Sequence, residues 1–264
     1  MNRLYKYPRT PHLTGSRLQP GDEDLQVVSL DDLAGRRIVI EEKLDGANSA
    51  VSFGDDGRLL LQSRGHFLDG GPRERHFGLL KAWAGSAQRE LWDVLGGRYV
   101  MYGEWLYAKH TIFYDAMPHY FFEFDVLDKE TEQFLSTDAR RELLSRAPVT
   151  HAPVLYAGEA RAAGRLESFI GPSAFQSGEW RGALVAACES RGLDAARALR
   201  ETDASGLLEG LYLKAEVGGR VTERFKFVRG SFQQAVEDSG DHWLNRPVIP
   251  NRLREGVDLF APQL

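Results

Sequence analysis

Ile38-Val39-Ile40-Glu41-Glu42-Lys43-Leu44-Asp45-Gly46-Ala47-Asn48 is the stretch whose reading decides this chain. An apolar β-branched run enters two acids and a lysine, then meets a K-x-D-G turn. β-Branched residues favour extended backbone, and Asp-Gly turns the chain. Residues 37–43 therefore read as one strand and 48–53 as a second. Gly54-Asp55-Asp56-Gly57 is a hairpin signal before a third strand, 58–63.

Outward from these strands, the pattern mixes both periods. Phe77, Leu80, Trp83, Ala84, Ala87, Leu91 and Leu95 recur at mostly helical spacing, which predicts a helix within 74–95. Residues 98–107 and 120–128 read as buried strands, and Thr137 or Asp138 can cap a helix running to about Arg146. The Ala- and Arg-rich region 160–205 reads as helical with a break at Gly171-Pro172, and 207–215 and 220–228 as a strand pair around Gly218-Gly219. This order predicts an α+β fold, with twisted antiparallel sheets flanked by helices. Residues 1–24 read as an irregular basic arm, and 25–264 as a single domain with a short tail after about 230.

Composition narrows the function classes. The 264 residues are 42% hydrophobic and 27% charged, as in a soluble globular protein with a sizeable core. No apolar run approaches a membrane span, and the N-terminus shows no apolar signal core. Cys188 is the only cysteine, which excludes an internal disulfide and a thiolate-rich zinc site. A reducing cytoplasm and no membrane partner are the expectation. The seven histidines show no close metal-ligand spacing. A net charge of −5 argues against coating nucleic acid by bulk electrostatics. The charge is uneven, however. The first 21 residues carry Arg3, Lys6, Arg9 and Arg17 and no acid, and Arg220, Arg224, Lys226 and Arg229 cluster near the end. Each patch reads equally as a solvated surface or as a grip on a few phosphates.

Lys43 alone would read as an exposed lysine after a strand. Its weight comes from the segments that follow in order: Ser63-Arg64-Gly65, Tyr102-Gly103-Glu104-Trp105, Phe121-Phe122-Glu123-Phe124-Asp125, Glu209-Gly210-Leu211-Tyr212-Leu213-Lys214 and Arg224-Phe225-Lys226. A lysine nucleophile must lose its proton, and desolvation and nearby cations both lower a lysine pKa. If the late strand faces Lys43, Arg224 and Lys226 would supply those cations and also hold phosphate oxygens. Glu104 and Glu209, each beside a glycine, suit a sugar hydroxyl and a divalent metal; singly, each reads as a strand-edge pair or cap. Phe124 reads as core or as a base-stacking ring, and Arg64 as a turn residue or a phosphate fork.

This ordered set resembles the covalent nucleotidyltransferase superfamily of ATP-dependent ligases and capping enzymes, and within it the RNA ligases of the phage RNA-ligase-2 type. The likeness spans Lys43 to Lys226; Asn48, five residues after the lysine, and Phe124, twenty after Glu104, point to that branch. The resemblance implies that Lys43 attacks the α-phosphate of ATP and carries AMP as a phosphoramidate. It implies supporting roles for Asp45 and Gly46 and nucleotide contacts from Glu42, Asn48 and Arg64. It further implies a ribose contact from Glu104, adenine stacking on Phe124, a metal contact from Glu209 and α-phosphate contacts from Arg224 and Lys226. Magnesium, with manganese as the substitute, is the implied metal. RNA carrying 5′-phosphate and 3′-hydroxyl ends is the implied substrate. Arg224 departs from the usual lysine, and only 38 residues follow Lys226, too few for the added C-terminal domain of the phage type. The expectation is therefore that Arg3, Lys6, Arg9, His12 and Arg17, or a partner protein, help hold RNA. A DNA ligase, a capping-type guanylyltransferase using GTP and a non-catalytic RNA- or nucleotide-binding module are the competing readings.

Overall fold

The computed structural model describes residues 2–18, 21–71, 74–232 and 247–261. The strands are β1 (His12–Leu13), β2 (Val27–Val28), β3 (Arg37–Lys43), β4 (Ala47–Phe53), β5 (Leu59–Ser63), β6 (Tyr99–Trp105), β7 (Phe121–Asp128), β8 (Gln133–Leu135), β9 (Thr150–His151), β10 (Val154–Glu159), β11 (Gly210–Val217) and β12 (Arg220–Val228). The helices are α1 (Gly78–Ser86), α2 (Gln88–Leu95), α3 (Thr137–Leu143), α4 (Trp180–Glu189) and α5 (Ala195–Arg200).

The K-x-D-G turn dictates the shape of the sheet. The strands follow the order β10-β3-β11-β12-β8-β7-β6-β4-β5, so six steps separate β3 from β4. Laid flat, six spacings would part them by about 29 Å. The link from Lys43 to Ala47 can reach at most about 14 Å. The sheet must therefore curl until its two halves face each other, and the turn sits where they meet. Gly46 is required there, because a Cβ on it would lie 2.5 Å from Leu106 Cδ2 and 2.8 Å from the Trp105 carbonyl oxygen.

Alternation along the strands then sorts the side chains. On one half, Ile38, Ile40, Leu211, Leu213, Phe225 and Phe227 form an apolar cluster with Leu13. On the other half, Val51, Phe53, Met101, Trp105 and Phe121 pack against Leu80, Trp83, Leu91 and Leu95 of α1 and α2. The opposite face of β3, β11 and β12 carries Glu41 and Lys43, Tyr212 and Lys214, and Arg224 and Lys226, in the register Tyr212↔Glu41, Tyr212↔Lys226 and Lys214↔Arg224. This polar face stays buried only because its charges are paired. Arg140 from α3 bonds to both Glu41 and Glu123, and Lys214 bonds to Glu41 at 2.8 Å and lies 3.4 Å from Asp125. Glu41, Glu123, Lys214 and Arg140 are all fully buried.

Several elements differ from the sequence reading. The helix expected over 74–95 breaks at Ala87, which ends α1 and begins α2. Ser136, one residue earlier than expected, caps α3 by accepting from the Ala139 amide. The region 160–205 holds two short α-helices and two 3-10 turns; Gly164, with a φ of 71°, ends the first turn, and Gly192, with a φ of 65°, follows the end of α4. Strand β10 pairs antiparallel with β3 and was not foreseen; its residues are only half-buried or exposed, so no alternation marks it. The N-terminal segment is not irregular throughout. His12 pairs with Lys226 in a parallel ladder, and His12 and Leu13 are fully buried. No helix among the described residues is long and apolar enough to cross a membrane.

Candidate active site

A cavity of about 660 Å³ opens where the two halves of the sheet meet, within the usual size for a small-molecule site. Lys43 ends β3 opposite Gly210, and Glu209 stands one residue before that partner. The Lys43 amine, at the end of a side chain about a quarter exposed, donates to Glu209 Oε1 at 2.6 Å. Asn48 and Glu104 face each other across β4 and β6 and both line the cavity. Gly210 lets β11 lie tight on β12, since a Cβ there would be 2.0 Å from the Phe227 carbonyl oxygen.

Asp45 supports the turn rather than the chemistry. Its Oδ2 accepts from the amides of Thr111 at 2.7 Å and Ile112 at 2.6 Å, and its own amide donates to the Tyr114 hydroxyl at 3.0 Å. Those bonds tie the K-x-D-G turn to the segment carrying His110 and Thr111, two further cavity residues. Glu42 also lines the cavity and accepts a 2.6 Å bond from Ser173. Burial pushes its carboxyl up to about 7, and the Ser173 bond only partly offsets this.

The charge balance corrects one expectation. Burial would lower the Lys43 pKa, but Glu209, Glu104 and Asp45 outweigh it, and the amine is held above its ordinary value. The cations expected to lower it each meet an acid of their own, Lys226 at Asp22 and Arg224 at Asp125. In return, burial pushes the Glu104 carboxyl up to about 8 despite Lys43, with Glu209 adding to the rise. Burial likewise raises Glu209 to about 7 against the pull of Lys43. Without nucleotide, the nucleophile candidate is thus a protonated amine beside carboxyls of near-neutral pKa. Glu209 is the proton acceptor within hydrogen-bond reach, with a pKa suited to that task.

Lys226 lines the cavity, with its amine bonded to Asp22; burial lowers its pKa and Asp22 opposes the drop. Arg224 does not line the cavity. Its guanidinium lies 3.5 Å from Asp125 and 3.9 Å from the centre of the Phe134 ring. The expected contact of Arg224 with the α-phosphate therefore has no cavity-lining side chain behind it: Arg224 lies instead against a buried acid from the opposite half of the sheet. Phe124 lines the cavity, edge-on to Tyr7 with ring centres 5.2 Å apart. Arg64 is exposed at the rim beside Ser63 and His66.

The basic arm is divided: its arginines stay at the surface and His12 does not. Arg3 donates to Glu132 and Arg9 to Asp24, each at 2.8 Å, while buried His12 lies 3.1 Å from Asp22 and 2.7 Å from Ser16. Burial excludes His12 from contact with RNA; Lys6 and Arg17 are exposed. What the sequence reading missed is that this segment forms a wall of the cavity through Tyr7, Pro8 and Thr10. Tyr7 donates to Asp125 at 2.5 Å, and Thr10 lies 3.0 Å from the Tyr212 hydroxyl. Tyr212 was findable, since alternation places it on the face of Lys226. Tyr7 had no local signal, because its partner Tyr212 lies 205 positions away.

A divalent cation fits on one side only. Glu209 Oε2 is buried without a hydrogen-bond partner, while Oε1 holds Lys43. Among the described residues, no group of three or more His, Cys, Asp or Glu is placed to hold a metal; His242 lies outside them. The cation would rest on the Glu209 carboxylate, with water and phosphate completing its shell, as magnesium commonly does.

The sequence model of the RNA ligase family matches residues 36–228. No curated protein matches the chain. Two similar solved structures are mutants of Naegleria gruberi RNA ligase. One, with ATP and Mn, has a TM-score of 0.51 and 18% identity, covering 79% of this chain and 54% of that one. The other, an apo form, has a TM-score of 0.50 at the same identity and the same two coverages. They show that this fold is the nucleotidyltransferase fold of those ligases. The chain spans about half the length of those relatives.

Proposed function

The chain belongs to the RNA ligase family, and on that premise we propose that it is an ATP-dependent enzyme joining RNA 3′-hydroxyl and 5′-phosphate ends through AMP carried on Lys43. The observation that carries the proposal is the Lys43 amine at the mouth of the curled sheet, bonded to Glu209 in a cavity shared with Glu104 and Lys226. A lysine in such surroundings has little structural purpose, while the residues around it match the needs of phosphoryl chemistry.

In the proposed reaction, Lys43 passes its proton toward Glu209 and attacks the α-phosphate of ATP, forming a P–N bond as the bond to pyrophosphate breaks. An RNA 5′-phosphate then takes AMP from Lys43, giving an A(5′)pp(5′)N end. A 3′-hydroxyl finally attacks the RNA phosphorus, making the phosphodiester and releasing AMP. Glu104 binds the ribose, and Phe124 stacks on adenine. Tyr7 and Tyr212 wall the base pocket, Glu42 and Asn48 contact the nucleotide, and Arg64 reaches phosphate at the rim. Lys226 offsets charge that develops on the α-phosphate; positioning and electrostatics of this kind supply most phosphoryl-transfer catalysis. Magnesium or manganese on Glu209 would polarise phosphate oxygens. The spacing of Asn48 and Phe124 supports the phage RNA-ligase-2 branch. A reducing cytoplasm suits the free buried Cys188, and a partner protein for RNA binding or end processing belongs to the same proposal.

The test is incubation with magnesium and ATP labelled at the α-phosphate, followed by nicked RNA and nicked DNA in parallel. Label on the protein that moves to RNA ends, with sealed RNA product, supports the proposal. Equal sealing of DNA would reassign the substrate, and charging by GTP in place of ATP would favour the capping chemistry. No labelled protein with either nucleotide would end the enzyme reading.

A further inference from the structure

The N-terminal segment lies outside the residues that match the family, yet it is stitched to β12 at several points. The Lys226 amide donates to the Pro11 carbonyl at 2.9 Å, the Val228 amide to Ser16 Oγ at 2.9 Å, and the Arg17 amide to the Val228 carbonyl at 2.9 Å. These bonds fix residues 11–17 against β12, and the Asp22 carboxylate meets Lys226, His12 and Arg9. His12 is itself pinned between Asp22 and Ser16, in ladder register with Lys226.

We propose that Asp22, braced by His12 and Ser16, is a positioning residue that aims the Lys226 amine into the nucleotide cavity, so that the N-terminal segment is part of the active site. The inference rests on the reading of Lys226 as the cation for the α-phosphate. A lysine stem has several rotatable bonds, and without a partner its ammonium can swing out to water. The groups facing Lys226 are Asp22 and His12 from the N-terminal segment, Lys43 from β3 and Glu209 beside β11. Lys43 repels it, and Glu209 is already bonded to Lys43. Asp22 is thus the acid that holds the amine in place, and its side chain, 14% exposed, is buried enough to hold one geometry. Arg9 and His12 fix the carboxylate from its other sides, as a strut needs.

The experiment is a double-mutant cycle on the rate at which magnesium and ATP charge Lys43. Asp22→Asn keeps the shape and removes the charge; Asp22→Ser is run beside it so that a folding defect in one leaves the other informative. Each is expected to slow charging by about 10²-fold with the ATP KM changed by less than about threefold, because misplacement of a charge-stabilising group acts in the transition state. Lys226→Gln is expected to slow charging to a similar degree, and either Asp22 change added to it to cost nothing more. Asp22→Glu, which keeps the carboxylate, is expected to recover part of the rate. A purely structural Asp22 would instead give losses that multiply in the double mutant. That outcome, a wild-type rate in both Asp22 variants or an effect confined to KM would each overturn the inference. Failure of the wild-type protein to form any adduct would sink the ligase reading itself, which separates the two.

Discussion

Replacing Glu104 by Gln should make the nucleotide-free protein more stable at alkaline pH while altering the proposed ribose contact. Burial lifts the Glu104 carboxyl from 4.5 to about 8, so the folded chain holds its proton more tightly than the unfolded chain. Between about pH 4.5 and pH 8 the unfolded state therefore gives up protons first, and the wild type loses stability as pH rises. Glutamine holds no such proton and suffers no such loss. The full interval corresponds to about 4–5 kcal/mol. Glu104 keeps some solvent contact and faces Lys43, so a gain of about 2 kcal/mol is the expected value, or about 4–8 °C in melting temperature. The assay is thermal or urea unfolding of both proteins at about pH 5 and about pH 8.5, where the difference should be small and large respectively. A gain that is equal at the two pH values would refute the argument, because only the titration of this carboxyl makes it grow. Charging of Lys43 by ATP should fall in the same variant, showing that the wild type gives up stability to keep a carboxyl in the site.

Three further outcomes follow from the packing. Arg140→Met leaves Glu41 and Glu123 buried without their shared cation and should cost about 3–5 kcal/mol in urea unfolding; a loss under about 1 kcal/mol would mean that Lys214 and His151 suffice. Gly210→Ala must push a methyl into the Phe227 carbonyl and should lower stability by about 1–3 kcal/mol, seen as an earlier thermal transition. Arg224→Met should lower stability by about 1–3 kcal/mol yet leave the rate of Lys43 charging within about threefold, because Arg224 lies against Asp125 and Phe134 and does not line the cavity; a rate loss near that of a Lys226 variant would restore Arg224 to the phosphate.

The parts legible in the sequence were those set by neighbours in the chain. β3, β4 and β12 could be read because apolar residues gather in them and because Asp-Gly and Gly-Gly turns bound them. Lys43, Glu104 and Glu209 could be placed near one another because each ends or borders a strand. Long-range geometry was not legible. Arg224 and Lys226 share a face, and nothing local says that Asp125 captures the first while the second reaches the cavity. The burial of His12 was not legible, because its pairing with β12 depends on a partner more than 200 positions away. The sign of the Lys43 shift was missed for the same reason: it depends on three carboxylates gathered by the fold, not on the apolar strand before it.

The central claim is that Lys43 carries AMP. Mass spectrometry of peptides from protein incubated with ATP and magnesium tests it most directly. One adenylyl group on the peptide containing Lys43, lost on treatment with acid and absent from Lys43→Ala, is the predicted result. An adenylyl group on another side chain, or none in protein shown to be folded, would contradict the account.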